Sequence, residues 1–224
     1  VHEDGNSSSQ GSPAAKDDRP KEPSPLREAA AESFPFLDGR DIHLFIIESY
    51  GRTLFSREDH YRLINERYAE IENQLTEAGY FSVSGFLEAP TTGGRSWFSD
   101  ATLLTGVWID SQHTYDQILH SDRKNLTHEL GDAGYHRVMA APGTDRAGET
   151  WRNFYRFDSY LFREDYDYAG PIYSFGDMPD QYFLFATDQM LADIPAGRPC
   201  FIMYMMVSSH TPFHIVPGYV EDWG

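Results

Sequence analysis

The chain has 224 residues, 40% of them hydrophobic, and a formal charge of −17. That is the length of one α/β-sized domain with enough apolar material for a sizeable core; its acidic balance excludes nucleic-acid binding through a broad basic face but leaves room for a local positive site that takes a small anion. One cysteine, Cys200, excludes an internal disulfide framework, and no apolar stretch is long enough to span a bilayer.

Residues 1–38 are rich in Ser, Pro, Gly, Ala and charge, as in SSSQGSPAAKDDRPKEPSP, and read as a disordered linker, because such a segment buries too little apolar surface to offset its ordering entropy. No signal peptide is visible. The chain starts at Val1 and not at Met, so an absent upstream piece is expected. Residues 39–224 are expected to form the ordered domain.

The order begins with a short apolar run over 42–47 (IHLFII), which predicts a strand covered on both faces. It ends in Glu48, Ser49, Tyr50 and Gly51. A carboxylate at the C-terminal end of a buried strand lies where open α/β sheets place their ligands, so Glu48 is a functional candidate; a solvated strand-end acid is the plainer alternative. Ser56 and Asp59 have the spacing of a capping box, and Tyr61, Ile64, Tyr68, Ile71 and Leu75 repeat at helical spacing up to a stop at Gly79. Residues 81–87 (FSVSGFL) predict a second strand.

The stretch 90–106, PTTGGRSWFSDATLLTG, carries the strongest local signal. Two glycines allow a sharp turn, and 97–105 predicts a helix with Phe98, Ala101, Leu103 and Leu104 inward. Ser96 then sits at a helix N-terminus, where free N–H groups and the helix dipole favour an anion, with Arg95 beside it as a partner for a phosphate or sulfate oxygen. Capping is the commonest role of a serine so placed.

A helical segment through Leu126 and Leu130, the turn Ala133, Gly134, Tyr135 and a strand over 136–141 follow. The alternation of helix and strand predicts an α/β fold with a mostly parallel sheet and right-handed crossovers. Residues 146–176 are aromatic and acidic and predict a surface loop region with short helices, its aromatics packing rather than stacking on a ligand. Asp177 and Pro179 open another helix with Phe183, Ala186, Met190 and Ile194 inward. The apolar strand 201–207 leads into Ser208, Ser209, His210, Thr211 and Pro212, with Cys200 expected as a buried thiol.

These residues resemble a known family. LLTG at 103–106 closes a segment similar to the sulfatase signature Cys/Ser-x-Pro-Ser-Arg-x-x-Leu-Leu-Thr-Gly, which puts Ser96 on the nucleophile and Ser99 on the signature serine. Phe98 stands where that signature has proline and Asp100 where it has arginine, which sets the segment apart from the formylglycine chemistry of true sulfatases. The wider pattern resembles the alkaline phosphatase superfamily, in the branch of lipoteichoic acid synthases and phosphoethanolamine transferases. Three anchors carry it: an IIES strand end with Glu48, the run Gly94, Arg95, Ser96, and SSHTPF with His210 before Thr211, Pro212 and Phe213.

The resemblance implies a three-layer α/β/α fold with a mostly parallel sheet. It implies a metal-dependent phosphoester or sulfoester hydrolase or transferase with Ser96 as covalent nucleophile, and a divalent cation (Mn, Zn, Mg or Ca) held by Glu48 and Ser96. Arg95, His210, Trp151 and Arg152 are implied as substrate-binding residues for a small anionic ester or lipid head group. It also implies that the chain is the N-terminal part of a catalytic domain, short of the family's downstream Asp-His metal ligands. Membrane helices upstream and a place at the outer face of a bacterial cytoplasmic membrane are implied as well. His113, His120, His128 and His136 adjoin no Asp in that pattern and read as surface or packing histidines. A true sulfatase and a catalytically silent domain with a binding role are the alternatives.

Overall fold

The computed structural model describes residues 24–145, 147–173, 175, 178–194, 197–212 and 215–221. Residues 1–23 of the expected linker, Asp177 of the expected helix start, Phe213 of the SSHTPF segment, and Arg146 and Gly176 lie outside the described residues.

Four strands form one all-parallel sheet in the order β1-β4-β2-β3, with β1 Ile42–Ile46, β2 His136–Ala141, β3 Ser159–Phe162 and β4 Cys200–Met205. Alternation along the strands sorts their side chains into two faces. Met139, Ala141, Phe201 and Met203, with Ile42, Leu44 and Ile46 of β1, meet α1 (Pro25–Ser33), α6 (Leu126–Asp132) and α7 (Glu149–Tyr155) through Ala30, Leu130, Phe154 and Tyr155. Val138, Ala140, Ile202 and Tyr204 meet α8 (Asp180–Leu191) through Phe183, which is fully buried. Helices on both faces of a parallel sheet make the expected three-layer α/β/α arrangement. A third cluster joins α4 (Ser96–Thr105) to α5 (Gln112–Leu119) through Phe98, Ala101, Ile109 and Tyr115.

Several expectations are corrected. The linker reading fails for its last third, because α1 is a capped helix with Pro25 at its first turn and Ala30 buried. Arg27 anchors it, donating to Gly39 O at 2.7 Å and pairing with Asp41 at 3.0 Å, while Asp41 also accepts from Cys200 N at 2.8 Å. Those side chains are three-quarters or more buried, so one short helix is tied to the starts of β1 and β4 despite its polar composition.

Strand β1 is an edge strand and is not covered on both faces: His43 and Phe45 are exposed, although Phe45 stacks on Tyr204 with ring centroids 4.5 Å apart. The helix expected from Ser56 to a stop at Gly79 is α3 (Glu58–Glu77), and a short helix that was not expected, α2 (Thr53–Ser56), precedes it. Ser56 makes no capping box; its hydroxyl turns back to Arg52 O at 3.1 Å. Residues 81–87 form no strand, with Phe81, Val83 and Leu87 almost fully exposed, because a strand pattern makes a strand only where a ladder partner exists. Conversely, β3 forms inside the stretch expected to be loop and short helices, since β2 offers it an open edge. Cys200 is only partly buried, at the start of β4. The aromatics of the 146–176 stretch pack as expected, with Phe154, Tyr155, Phe157, Phe162 and Tyr166 buried.

A buried polar hub joins α6 to α7. Asn125 caps α6 by accepting from Thr127 N (3.0 Å) and His128 N (3.2 Å), and donates to Phe154 O at 3.1 Å, while Thr127 Oγ1 donates to Tyr155 O. Replacing Asn125 by Ala removes the cap and one of the two side-chain partners of the Phe154 carbonyl, the other being His128 Nε2 at 2.7 Å. We expect a loss of about 2 kcal/mol, read as a lower urea midpoint with an unchanged slope; a midpoint equal to that of the parent chain would show that the hub is not what holds the two helices.

Candidate functional site

All four strands point their C-terminal ends at one rim, and β1 and β4 deliver polar groups there side by side. The pairing of Ile46 with Met205 is extended by Met206 N donating to Ile46 O at 2.9 Å. Beyond it, Ser209 Oγ donates to Glu48 O at 2.7 Å, and His210 Nε2 comes to 3.4 Å from Glu48 Oε2. Both side chains of that pair are about three-quarters buried. His210 Nδ1 faces Thr211 O, and Phe175 stacks on the imidazole with centroids 3.7 Å apart. Ser49, next to Glu48, has φ +65, a left-handed conformation that a non-glycine residue adopts at some cost and that aims the strand end out of the ladder.

Helix α4 supplies the third wall. Gly93, Gly94 and Arg95 have φ +76, +70 and +56 in succession, which reverses the chain abruptly before Ser96. Arg95 occupies the cap position without a side-chain cap, at a strain of roughly 1–2 kcal/mol. Ser96 is therefore the first helical residue and not the cap, and the capping role most common for such a serine is not the one it has. It is half-buried. Phe98, Ala101 and Leu104 seat the helix in the core as expected, whereas Leu103 is 46% exposed and faces out.

One turn on from Ser96 along the same helix face stands Asp100, which the sequence reading singled out only as a departure from a motif. Burial first, and then the charge of Glu48, push its carboxyl up from 3.8 to about 7. The Asp100 charge is felt in turn by Tyr115, raised to about 12 mainly by burial, and by Tyr155, also raised by burial. Electrostatically, Asp100 thus links Glu48 at the sheet rim to Tyr115 of α5 and Tyr155 of α7. An i, i+4 acid after the Gly-Gly-Arg-Ser turn was the signal available for Asp100.

The remaining expected residues are placed as follows. Trp151 packs on Tyr155, Phe157 and Tyr160. Arg152 lies over the rings of Tyr160 (4.5 Å) and Phe162 (5.4 Å). The exposed Arg95 guanidinium lies 5.9 Å from the Phe98 ring centroid. The structure therefore brings Glu48 and His210 together and puts Asp100, one turn on from Ser96, within reach of the Glu48 charge; Arg95 and Arg152 lie over aromatic rings. Among the described residues no group of three or more His, Cys, Asp or Glu side chains could hold a metal ion. Glu48 and Ser96, the two ligands expected for a cation, fall short of the four to eight that Zn, Mg or Ca takes. His128 and His136 have the packing role expected of them, bonded to Phe154 O (2.7 Å) and Ser159 Oγ (2.9 Å).

No protein-family model matches this chain, and no curated protein matches it. Among solved structures the chain is similar to a protein in the alkaline phosphatase superfamily from Vibrio parahaemolyticus, with a TM-score of 0.48 and 15% sequence identity over 83% of this chain and 44% of that one. The chain thus spans less than half the length of that structure.

Asp100 makes stability depend on pH in a defined sense. Its carboxyl holds a proton in the folded state up to about pH 7 but loses it near pH 4 in the unfolded chain, so stability falls as pH rises through that window and levels off above it. Asp100→Asn is therefore expected to match the parent at pH 4 and to exceed it at pH 7.5 by on the order of 2 kcal/mol, part of the shift being screened because Asp100 is only partly buried. Urea titrations at the two pH values test this, and a difference independent of pH would remove Asp100 from the buried cluster.

Proposed function

We propose that the chain belongs to a phosphoester or sulfoester hydrolase or transferase in which Ser96 is the covalent nucleophile and the rim formed by Glu48, His210 and Asp100 is the reaction site. The observation that supports this most is the convergence, at the C-terminal ends of β1 and β4, of the Glu48–His210 pair with the acid one turn beyond Ser96. In open α/β sheets that rim is where ligands bind. The motif resemblance over the three anchors supplies the reaction class.

The chemistry follows from the groups present. An anionic ester is drawn to the first turn of α4, where unsatisfied N–H groups and the helix dipole favour its nonbridging oxygens. Ser96 Oγ gives its proton to solvent and attacks phosphorus or sulfur, the bond to the leaving oxygen breaks as that oxygen takes a proton, and the phosphoryl or sulfuryl group on Ser96 is then passed to water or to an acceptor alcohol, whose proton is released as the Ser96 hydroxyl is restored. His210, turned toward the rim by its contact with Glu48, donates to a nonbridging oxygen. Asp100, which holds a proton near neutral pH, can return it to the leaving oxygen. Glu48 and Ser96 would supply two ligands to a divalent cation, which would lower the proton affinity of the serine hydroxyl; its remaining ligands would have to come from outside the described residues. Substrates proposed for the site are small anionic esters, lipid head groups of the cell envelope among them. Among the described residues no helix is long and apolar enough to cross a membrane.

Ser96→Ala in the intact protein is expected to lower kcat for p-nitrophenyl phosphate by roughly 10³-fold or more with the urea midpoint unchanged. Parallel assays with p-nitrophenyl sulfate and bis-p-nitrophenyl phosphate, with and without Mn²⁺ or Zn²⁺, separate the sulfatase and phosphoesterase readings. Turnover that survives the substitution would remove Ser96 from the chemistry.

A further inference from the structure

Asp180, the first residue of α8, makes contacts that a helix start does not require. Its carboxylate accepts from Val207 N at 2.7 Å and from Ser208 N at 3.0 Å, both outside its own helix. The helix is served separately, by Ser208 Oγ, which accepts from Asp180 N at 2.8 Å. Val207 and Ser208 are the first two residues of the turn closed by His210 N donating to Val207 O at 3.0 Å. A carboxylate that takes two consecutive N–H groups at the head of a turn fixes the direction in which the turn's last residue leaves.

The far side of the turn is pinned as well. Ser209 is tied to the Glu48 carbonyl, and Phe175 stacks on the His210 ring. Gly143, after β2, backs this packing: a Cβ there would lie 3.0 Å from both Phe175 and Val207. With the turn held at Val207, Ser208 and Ser209, the imidazole of His210 has little freedom except along its approach to Glu48.

We infer that Asp180 is a positioning residue of the rim site: acting through the turn at residues 207–210, it sets His210 Nε2 against Glu48, an inference that rests on the functional reading of that rim. Asp180→Asn keeps the volume but leaves one acceptor oxygen, and its amide NH₂ then faces a backbone N–H. Thr187→Val is the matched control: it sits in the same helix and breaks the buried Tyr166 OH to Thr187 Oγ1 bond of 2.9 Å without touching the cap.

Two measurements on the whole protein decide the matter. In protein labelled with ¹⁵N-histidine, with His210 assigned by the loss of its signals in His210→Gln, Glu48→Gln is expected to shift the Nε2 resonance. That response is expected to fall by more than half in the Asp180→Asn background and to persist in Thr187→Val. In turnover of p-nitrophenyl phosphate, Asp180→Asn is expected to lower kcat about tenfold with KM within about twofold, and Asp180→Glu to recover part of the loss. An Nε2 response that is absent in the parent, equal in Asp180→Asn, or lost equally in Thr187→Val overturns the inference, as does lost coupling with unchanged turnover. If the parent turns over none of the ester probes, the functional reading falls and the ring response alone decides whether Asp180 positions His210.

Discussion

The candidate site depends on the parallel pairing of β1 with β4 being carried beyond its last ladder pair. The main-chain bond from Met206 to Ile46 continues the sheet by one residue on the β4 side, and the bond from Ser209 to the carbonyl of Glu48 extends the link between the two strand ends into the loops. Parallel strands end at the same rim, so two residues distant in the chain are brought within 3.4 Å without any long loop having to be ordered for the purpose. What varies between strand ends is which side chain the exit presents, and here the left-handed Ser49 and the clamped turn at 207–210 decide it.

The electrostatics of the rim follow from that geometry. The chain as a whole carries a large negative charge, yet the rim places an imidazole against one carboxylate and buries a second close enough to feel the first. Burial away from water is the main reason that the Asp100 carboxyl is raised into the neutral range, and the like charge of Glu48 adds to it. Burial also raises the two tyrosines that feel the Asp100 charge, Tyr115 and Tyr155. The acidic surface elsewhere does not reach this balance, because exposed charges are screened over about 8–10 Å at ordinary salt.

The scaffold also distributes its constraints unevenly. The central strands β2 and β4 carry apolar residues on both faces and are closed in by helices, while β1 at the edge, α3 and the extended stretch after it keep large apolar side chains exposed. Among the described residues α3 buries none of its side chains, although Tyr61, Ile64, Tyr68, Ile71 and Leu75 line one stripe of it. An amphipathic pattern states which face of a helix is able to pack, and a neighbour has to be present for that face to be covered.

Much of the fold was legible in the chain itself. Period and composition determined β1, β2, β4, α4 and the core face of α8, because short apolar runs and helical repeats express burial that any compact arrangement must satisfy. The strand-end positions of Glu48 and His210 followed from the same runs. Only the tertiary structure decided which elements found partners. It left residues 81–87 without a ladder partner, admitted β3 from a stretch that reads as loop, and anchored α1 through Arg27 and Asp41. It also moved Ser96 from cap to first helical residue and gave Asp100 a neighbour in Glu48. A ladder bond, an ion pair and a shifted proton affinity each belong to two groups at once, and the second group is chosen by the packing of the whole chain rather than by the residues around the first.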